Sequence, residues 1–309
     1  MTERQLRAQA MRWCAEGRHA ILVRVVQTGG SVPREIGASM IVCAHQTIGT
    51  IGGGHLEARA IARARVLLDQ GTIPGNGSGG ATDEMITEHF ALGPSLGQCC
   101  GGAVTVGFRR LDAASLRAWA EPEPLFHLQL HGAGHVGQAL VAQLRSLDVV
   151  VDWVDGRESM LQSDFDDAIA GYTGAARINR IAVAHDDEVA AEIERAPTGA
   201  FYLVMTHSHE LDLRICEAIL RRADFAFFGL IGSPTKRERF RRRLSERGIA
   251  RQTLDRMCCP IGIDGIDAKT PEVIAVSVCA QLLQVQESLN TARLDETFVE
   301  PTMRPYCTF

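Results

Sequence analysis

Two adjacent thiols set between glycines, in Gly97-Gln98-Cys99-Cys100-Gly101-Gly102, are the residues of this chain best suited to chemistry. A glycine-flanked loop can expose a thiol and turn backbone N–H groups toward a ligand. A thiolate ligates a soft metal or a metal–sulfur centre, so Cys99 and Cys100 are the candidate metal ligands. The spacing is not that of a zinc site, because no C-x-x-C pair accompanies it. A second pair, Cys258-Cys259, directly follows a charged helix and is the weaker candidate. Cys14, Cys43, Cys216 and Cys279 fall in apolar runs and read as small buried hydrophobes.

Glycine turns supply the second kind of chemistry. Gly132-Ala133-Gly134-His135-Val136-Gly137 is G-x-G-x-x-G between a strand and a helix, the context in which the motif carries meaning. Such a turn brings backbone close to an anion, and the helix N-terminus offers unpaired N–H groups and a positive dipole end. Asp155, 18 residues past Gly137, stands at the end of the next strand, where such folds bind a ribose hydroxyl. Arg157 can instead hold a phosphate. The same turn also suits a strand-to-helix corner that needs glycine for packing alone, and the fold by itself implies no hydride transfer. Gly52-Gly53-Gly54-His55 is a second possible anion or pterin cradle, with Glu57 available for ring N–H groups and Arg34, after Gly30-Ser31-Val32-Pro33, able to add a guanidinium. Two tight turns and a surface arginine explain the same residues. His207-Ser208-His209 with Asp212 suggests a metal, but a polar lining or helix cap is the preferred reading. Gly232-Ser233, ahead of Lys236 and Arg237, is a further strand-to-helix turn, and KRERFRRRL reads as a solvated helix face that can also steer an acidic partner or a phosphate.

The elements that must position these residues divide the chain. A helix over 3–16, strands over 21–28 and 38–44, a glycine-rich run over 47–54, a helix from His55, and strands in EMITEHFAL and GGAVTVGFRR make a small α+β domain over 1–120. GTIPGNGSGG (71–80) reads as a mobile loop. Glu121-Pro122-Glu123-Pro124 is a linker. Beyond it, LFHLQL, VVVDWVD, INRIAV, FYLVMTH and FAFFGLIG alternate with helical stretches near 136–147, 187–195, 210–222 and 235–246. That alternation predicts an α/β, Rossmann-like parallel sheet over 125–290. The last helix starts at Thr270-Pro271 and runs through VIAVSVCAQLL, with a tail over 291–309. A length of 309 residues fits two domains. A net charge of −5 argues against general nucleic-acid binding. No apolar run nears the roughly 20 residues a bilayer span needs, and the charged start MTERQLRAQA has no signal-peptide core. The expectation is a cytoplasmic protein that binds neither nucleic acid nor membrane. Nine cysteines in such a chain are mostly free thiols rather than a disulfide framework.

Taken in order, the blocks GGSVPREIGASMIV, TIGTIGGGHLE, GQCCGG, HGAGHVGQAL, VDWVDGRE, MTHSHELDL, GLIGSPTKRERF and PIGIDGIDAKTPEVIAVSV resemble the XdhC/CoxI family of molybdenum cofactor accessory proteins, over nearly the whole chain. The resemblance implies an N-terminal cofactor-handling domain and a C-terminal Rossmann-like domain. It implies a carrier rather than an enzyme: a homodimeric chaperone that binds molybdopterin-type cofactor and shields it. The same resemblance implies that a cysteine desulfurase fits the sulfido ligand and that the cofactor is then inserted into the molybdenum subunit of apo xanthine dehydrogenase. The family's C-G-G element maps onto Cys100-Gly101-Gly102, with Cys99 beside it, where many relatives carry one cysteine. Glycine turns suit the cofactor's phosphate and a loop thiol suits its metal, so the expectation is a shared cleft built by both halves. The rival expectation is an NAD(P)-dependent oxidoreductase resting on the G-x-G-x-x-G turn and Asp155, against which no Lys/Tyr/His proton-donor set stands out. A catalytic sulfur relay through Cys99 or Cys100, and a purely structural scaffold, are further alternatives.

Overall fold

A computed structural model describes residues 1–71, 85–92, 102–161 and 175–297. The chain divides into two compact units, Met1–Glu123 and Pro124–Phe309.

The first unit is built on an antiparallel sheet of five strands. In chain order they are β1 (Ala20–Gly29), β2 (Ser39–Cys43), β3 (Thr47–Gly49), β4 (Ile86–Ala91) and β5 (Ala103–Arg110), arranged β3-β2-β1-β5-β4. Central β1 must bury both faces, and its sequence AILVRVV is accordingly a continuous apolar run broken only by Arg24. Ile21, Val23 and Val25 point to one face and pack on Leu56, Ala60, Ala64 and Leu67 of α2 (Gly54–Gln70). Ala20 and Leu22 point to the other and pack on Leu6, Ala10 and Trp13 of α1 (Glu3–Ala15), with Trp119 beyond α3 (Ala113–Ala118). The period of two thus assigns a helix to each face. A register shift between Val25 and Gln27 marks a bulge in the pairing of β1 with β5. Residues 47–49, expected as part of a glycine run, form the edge strand β3.

The second unit is a six-stranded, wholly parallel sheet. Its strands are β6 (His127–His131), β7 (Val150–Asp155), β8 (Arg177–Ala182), β9 (Phe201–Val204), β10 (Phe227–Leu230) and β11 (Met257–Cys258), in the order β8-β7-β6-β9-β10-β11. Counted from β6, this is the doubly wound order 3-2-1-4-5-6, with its topological switch point between β6 and β9. Leu128, Leu130, Trp153, Phe201 and Leu203 face Leu140, Val141 and Leu144 of α4 (His135–Leu144) and Ala275, Val278 and Leu282 of α10 (Pro271–Thr297). Val154, Tyr202, Val204, Phe228 and Leu230 face the opposite layer, α6 (Asp186–Arg195), α7 (His209–Arg222) and α8 (Pro234–Glu246). Short α5 (Glu158–Leu161) and α9 (Arg251–Asp255) complete the unit. α10 continues to Thr297, past residue 290 where the sequence suggested the tail begins. Among the described residues, no helix is long and apolar enough to cross a membrane.

Candidate functional site

The carboxyl end of the parallel sheet gathers most of the second unit's expected residues. Gly132 and Gly134 leave β6, Asp155 ends β7, His207 follows β9 and Gly232-Ser233 follows β10. The three glycines of G-x-G-x-x-G do different jobs. Gly132 has φ +122, and a Cβ there would lie 2.4 Å from the Met205 carbonyl oxygen. A Cβ on Gly137 would lie 2.2 Å from the Gly132 carbonyl oxygen, so this glycine lets α4 pack on the turn. Gly134 is unlike both. Its φ of −71 suits any residue, and a Cβ there would meet nothing within 4 Å. Neither torsion nor packing requires glycine at 134, which leaves open space at the α4 N-terminus, where a doubly wound fold brings a phosphate against backbone.

Asp155 is held from within. Its Oδ2 accepts from the Ala133 N–H at 2.6 Å and from Arg157 Nη2 at 2.8 Å, and its Oδ1 accepts from Arg157 N and Nε, each at 2.9 Å. Burial works to raise this carboxyl, but the hydrogen bonds from Arg157 and Ala133 outweigh it and hold it below the ordinary value. The two residues expected to meet a ligand thus form one clamp that also ties down the glycine turn.

At the neighbouring strand ends the lining is structural. Ser208 caps α7 by accepting from the Leu211 N–H, and Ser233 caps α8 by accepting from the Lys236 N–H. Asp212, expected as a possible metal partner of His207 and His209, is fully buried. Its Oδ1 accepts from Thr206 N and Oγ1 and its Oδ2 from Lys236 Nζ at 2.7 Å, so it is committed and not a ligand. Lys236 also donates to the Ile231 carbonyl at 2.8 Å, and its side chain lies where a Cβ on Gly232 would sit. No cluster of three or more His, Cys, Asp or Glu able to hold a metal is found among the described residues. Part of the run over α8 is paired: Lys236 with Asp212, Arg241 with Asp255 and Arg243 with Glu210, while Arg247, just after the helix, pairs with Glu217.

His131, just ahead of the turn, was not singled out by sequence. It is 1% exposed, and burial lowers its imidazole to about 4, so it is neutral. Gln129 Nε2 donates to the Glu192 carbonyl, so its Oε1 accepts from His131 Nε2–H at 2.9 Å, leaving Nδ1 as a buried acceptor with no partner among the described residues. A signal was present: His127, Gln129 and His131 alternate with Leu128 and Leu130 along β6, one polar face in an otherwise apolar strand.

In the first unit the glycine segments come together. A Cβ on Gly52 (φ +124) would lie 2.8 Å from Pro33 Cγ and 3.3 Å from Arg34 Cγ. A Cβ on Gly102 would lie 2.4 Å from the Ser31 carbonyl and 2.6 Å from that of Gly29. The G-S-V-P-R turn therefore touches both the Gly52–Gly54 turn and the residue that ends the paired-cysteine loop. Glu57 Oε2, expected to face a ligand, is used locally: it accepts from Thr50 Oγ1 at 2.5 Å, Ile51 N at 3.1 Å and Gly53 N at 3.0 Å. His55 opens α2 at the exposed end of this turn. A cleft of about 260 Å³ is lined by residues 34–39, Gly49 and Thr50 together with the start of α1, and His55 is not part of its lining. Cys99, Cys100 and Gly101, and most of the 71–80 loop, lie outside the described residues. Cys216 and Cys259 are buried thiols raised by desolvation, the latter to about 11, which makes both inert rather than nucleophilic.

Residues 128–282 match the model of the XdhC Rossmann domain, and residues 13–74 match that of the XdhC and CoxI family. The chain is 26% identical over 276 residues to the uncharacterized protein YqeB of Escherichia coli (strain K12), a match that covers 86% of this chain but only 43% of that relative. Among solved structures, one described as a xanthine dehydrogenase from Bacillus halodurans superposes with a TM-score of 0.69 at 19% identity, covering 93% of this chain and 96% of the other. At that identity the likeness is one of fold.

Proposed function

The chain belongs to the XdhC and CoxI family, and from that membership we propose that it is an accessory protein of xanthine dehydrogenase: a carrier, not an enzyme, that binds molybdenum cofactor of the molybdopterin type, protects it, supports its sulfuration by a cysteine desulfurase and inserts it into the apo molybdenum subunit. The observation that carries the proposal is the pair of family matches, one in each half of the chain. The residues fit the group in kind. In the second unit, Gly132, Gly134 and the α4 N-terminus, with Arg157, would take the cofactor's phosphate. In the first, taken by itself, Gly52, Gly53, Gly54 and Arg34, with His55 and the second oxygen of Glu57 beside them, offer a separate candidate surface for a pterin. Cys100 or Cys99 would supply a thiolate to the metal. His207 and Ser233 would line the phosphate side. The bound cofactor would bring the redox-active metal, whereas the chain's own tasks are to hold, orient and release it. Release favours moderate affinity. A homodimer and a cytoplasmic site of action belong to the same proposal.

The test is direct. Purified chain incubated with molybdenum cofactor should retain pterin through gel filtration and activate apo xanthine dehydrogenase. Gly134→Ala should fold normally, since its added methyl meets no neighbour, yet retain about tenfold less pterin through loss of the close backbone approach. Cys100→Ala should reduce activation. A chain that retains no pterin and leaves the dehydrogenase inactive would overturn the proposal, and full activation by Cys100→Ala would reduce the thiol to a bystander and favour a scaffold.

A further inference from the structure

We propose that Arg157 is the specificity-determining residue of the crevice at the carboxyl ends of β6 and β7, and that it makes this crevice select a phosphate monoester and reject a bare ribose diol. The inference rests on reading that crevice as the site of a phosphorylated ligand.

Asp155 has no lone pair left for a ligand. An ionised carboxylate has about four acceptor positions. On Asp155 all four are taken, by Ala133 N, Arg157 N, Arg157 Nε and Arg157 Nη2. The carboxylate is also sequestered, with only 3% of its side chain exposed. In a doubly wound fold that binds an unphosphorylated dinucleotide, the acidic residue at the end of the second strand accepts from ribose hydroxyls. Here a ribose diol would first have to strip a guanidinium or a backbone N–H from Asp155 and leave that donor unpaired, which is costly in a desolvated position.

The same bonds fix what Arg157 offers instead. A guanidinium carries five N–H donors in a planar fork. Nε and one N–H of Nη2 are spent on Asp155, and the remaining three point away from it. Arg157 is 38% exposed in its side chain and has no second carboxylate partner among the described residues. Asp155 therefore acts as a positioning residue, holding the fork in one orientation, so that less entropy is lost when an anion docks. A phosphate monoester has the oxygens for a bidentate contact with such a fork, whereas a diol offers only neutral hydroxyls. The open position above Gly134 and the adjoining α4 N-terminus add N–H donors and a dipole of the same sign. The monoester could belong to the 2′-phosphate of a nucleotide or to the terminal phosphate of another ligand.

Calorimetric titration of the full chain with NADH, NADPH and phenyl phosphate separates these sources. NADH carries ribose diols and no monoester, NADPH carries a 2′-monoester, and phenyl phosphate carries a monoester without sugar. The expected result is that NADPH or phenyl phosphate, or both, bind at least about tenfold more tightly than NADH, and that Arg157→Ala removes this preference while Arg157→Lys restores part of it. Response to phenyl phosphate assigns a terminal phosphate; response to NADPH alone assigns a ribose phosphate. NADH binding as tightly as NADPH, unchanged in Arg157→Ala, overturns the inference. Phosphate probes that bind wild type and Arg157→Ala equally overturn the role of Arg157 while leaving the crevice as a phosphate site. If no probe binds a variant or the wild-type chain, both the crevice reading and the inference fail.

Discussion

At residue scale, the clearest case is a side chain that does nothing visible. His131 is buried, neutral and short of one hydrogen-bond partner at Nδ1. Its imidazole is lowered by burial from 6.5 to about 4, so protons bind the unfolded chain more readily than the folded one. Stability is complete above pH 6.5 and falls as pH drops through that value toward 4. Between pH 7 and pH 5 the loss from this one group should be about 2 kcal/mol. Urea melts of wild type and His131→Gln at the two pH values check this: the variant should be less stable at pH 7 but lose less on acidification. Equal losses in the two proteins would show that His131 finds a partner for its second proton. The glycines teach the same lesson. Gly132, Gly134 and Gly137 are one motif in the sequence, yet only backbone torsions and neighbours separate the two that packing demands from the one it leaves open.

At the scale of elements, α7 and α8 are joined by a buried ion pair that orders their N-terminal ends. Lys236 reaches back along Gly232 to Asp212, which also receives Thr206. A buried charge left alone is costly, so Lys236→Met should lower stability by about 3–5 kcal/mol. Adding Asp212→Leu should recover much of it, because the uncompensated carboxylate goes too, though Thr206 then loses its acceptor. Thermal or urea unfolding of the three proteins decides the matter, and a single-variant cost under about 1 kcal/mol would show that the pair behaves as a solvent-exposed one. The arginines of α8 look from sequence like a free basic face. Partners for two of them lie on the flanking helices α7 and α9, and only packing of those helices against α8 shows that Glu210 and Asp255 meet them and that Glu217 meets Arg247.

At the scale of the whole molecule, each unit has its own core: β1 and β2 with α1 and α2 in the first, and the parallel sheet between two helical layers in the second. Residues 1–123 and 124–309 expressed separately should therefore each unfold cooperatively. A fragment that stays unfolded at all denaturant concentrations would show that its core is incomplete alone. The same pair of fragments, titrated with phenyl phosphate, asks whether the second unit alone recognises the phosphate.

The α/β class, the alternation of strands and helices, the parallel sheet and the family were legible in the sequence, because hydrophobic periodicity and ordered glycine blocks are local properties of the chain. β3 was not, since a three-residue edge strand has too short a period to register. Nor was the state of the site. That Asp155 is saturated by Arg157 and the Ala133 N–H of the glycine turn, that Glu57 turns back on Thr50, Ile51 and Gly53, and that Asp212 serves Lys236 instead of a metal follow from distances between residues. A carboxylate in a sequence is only a charge. What it binds is decided by which donors the tertiary structure brings within about 3 Å of its oxygens.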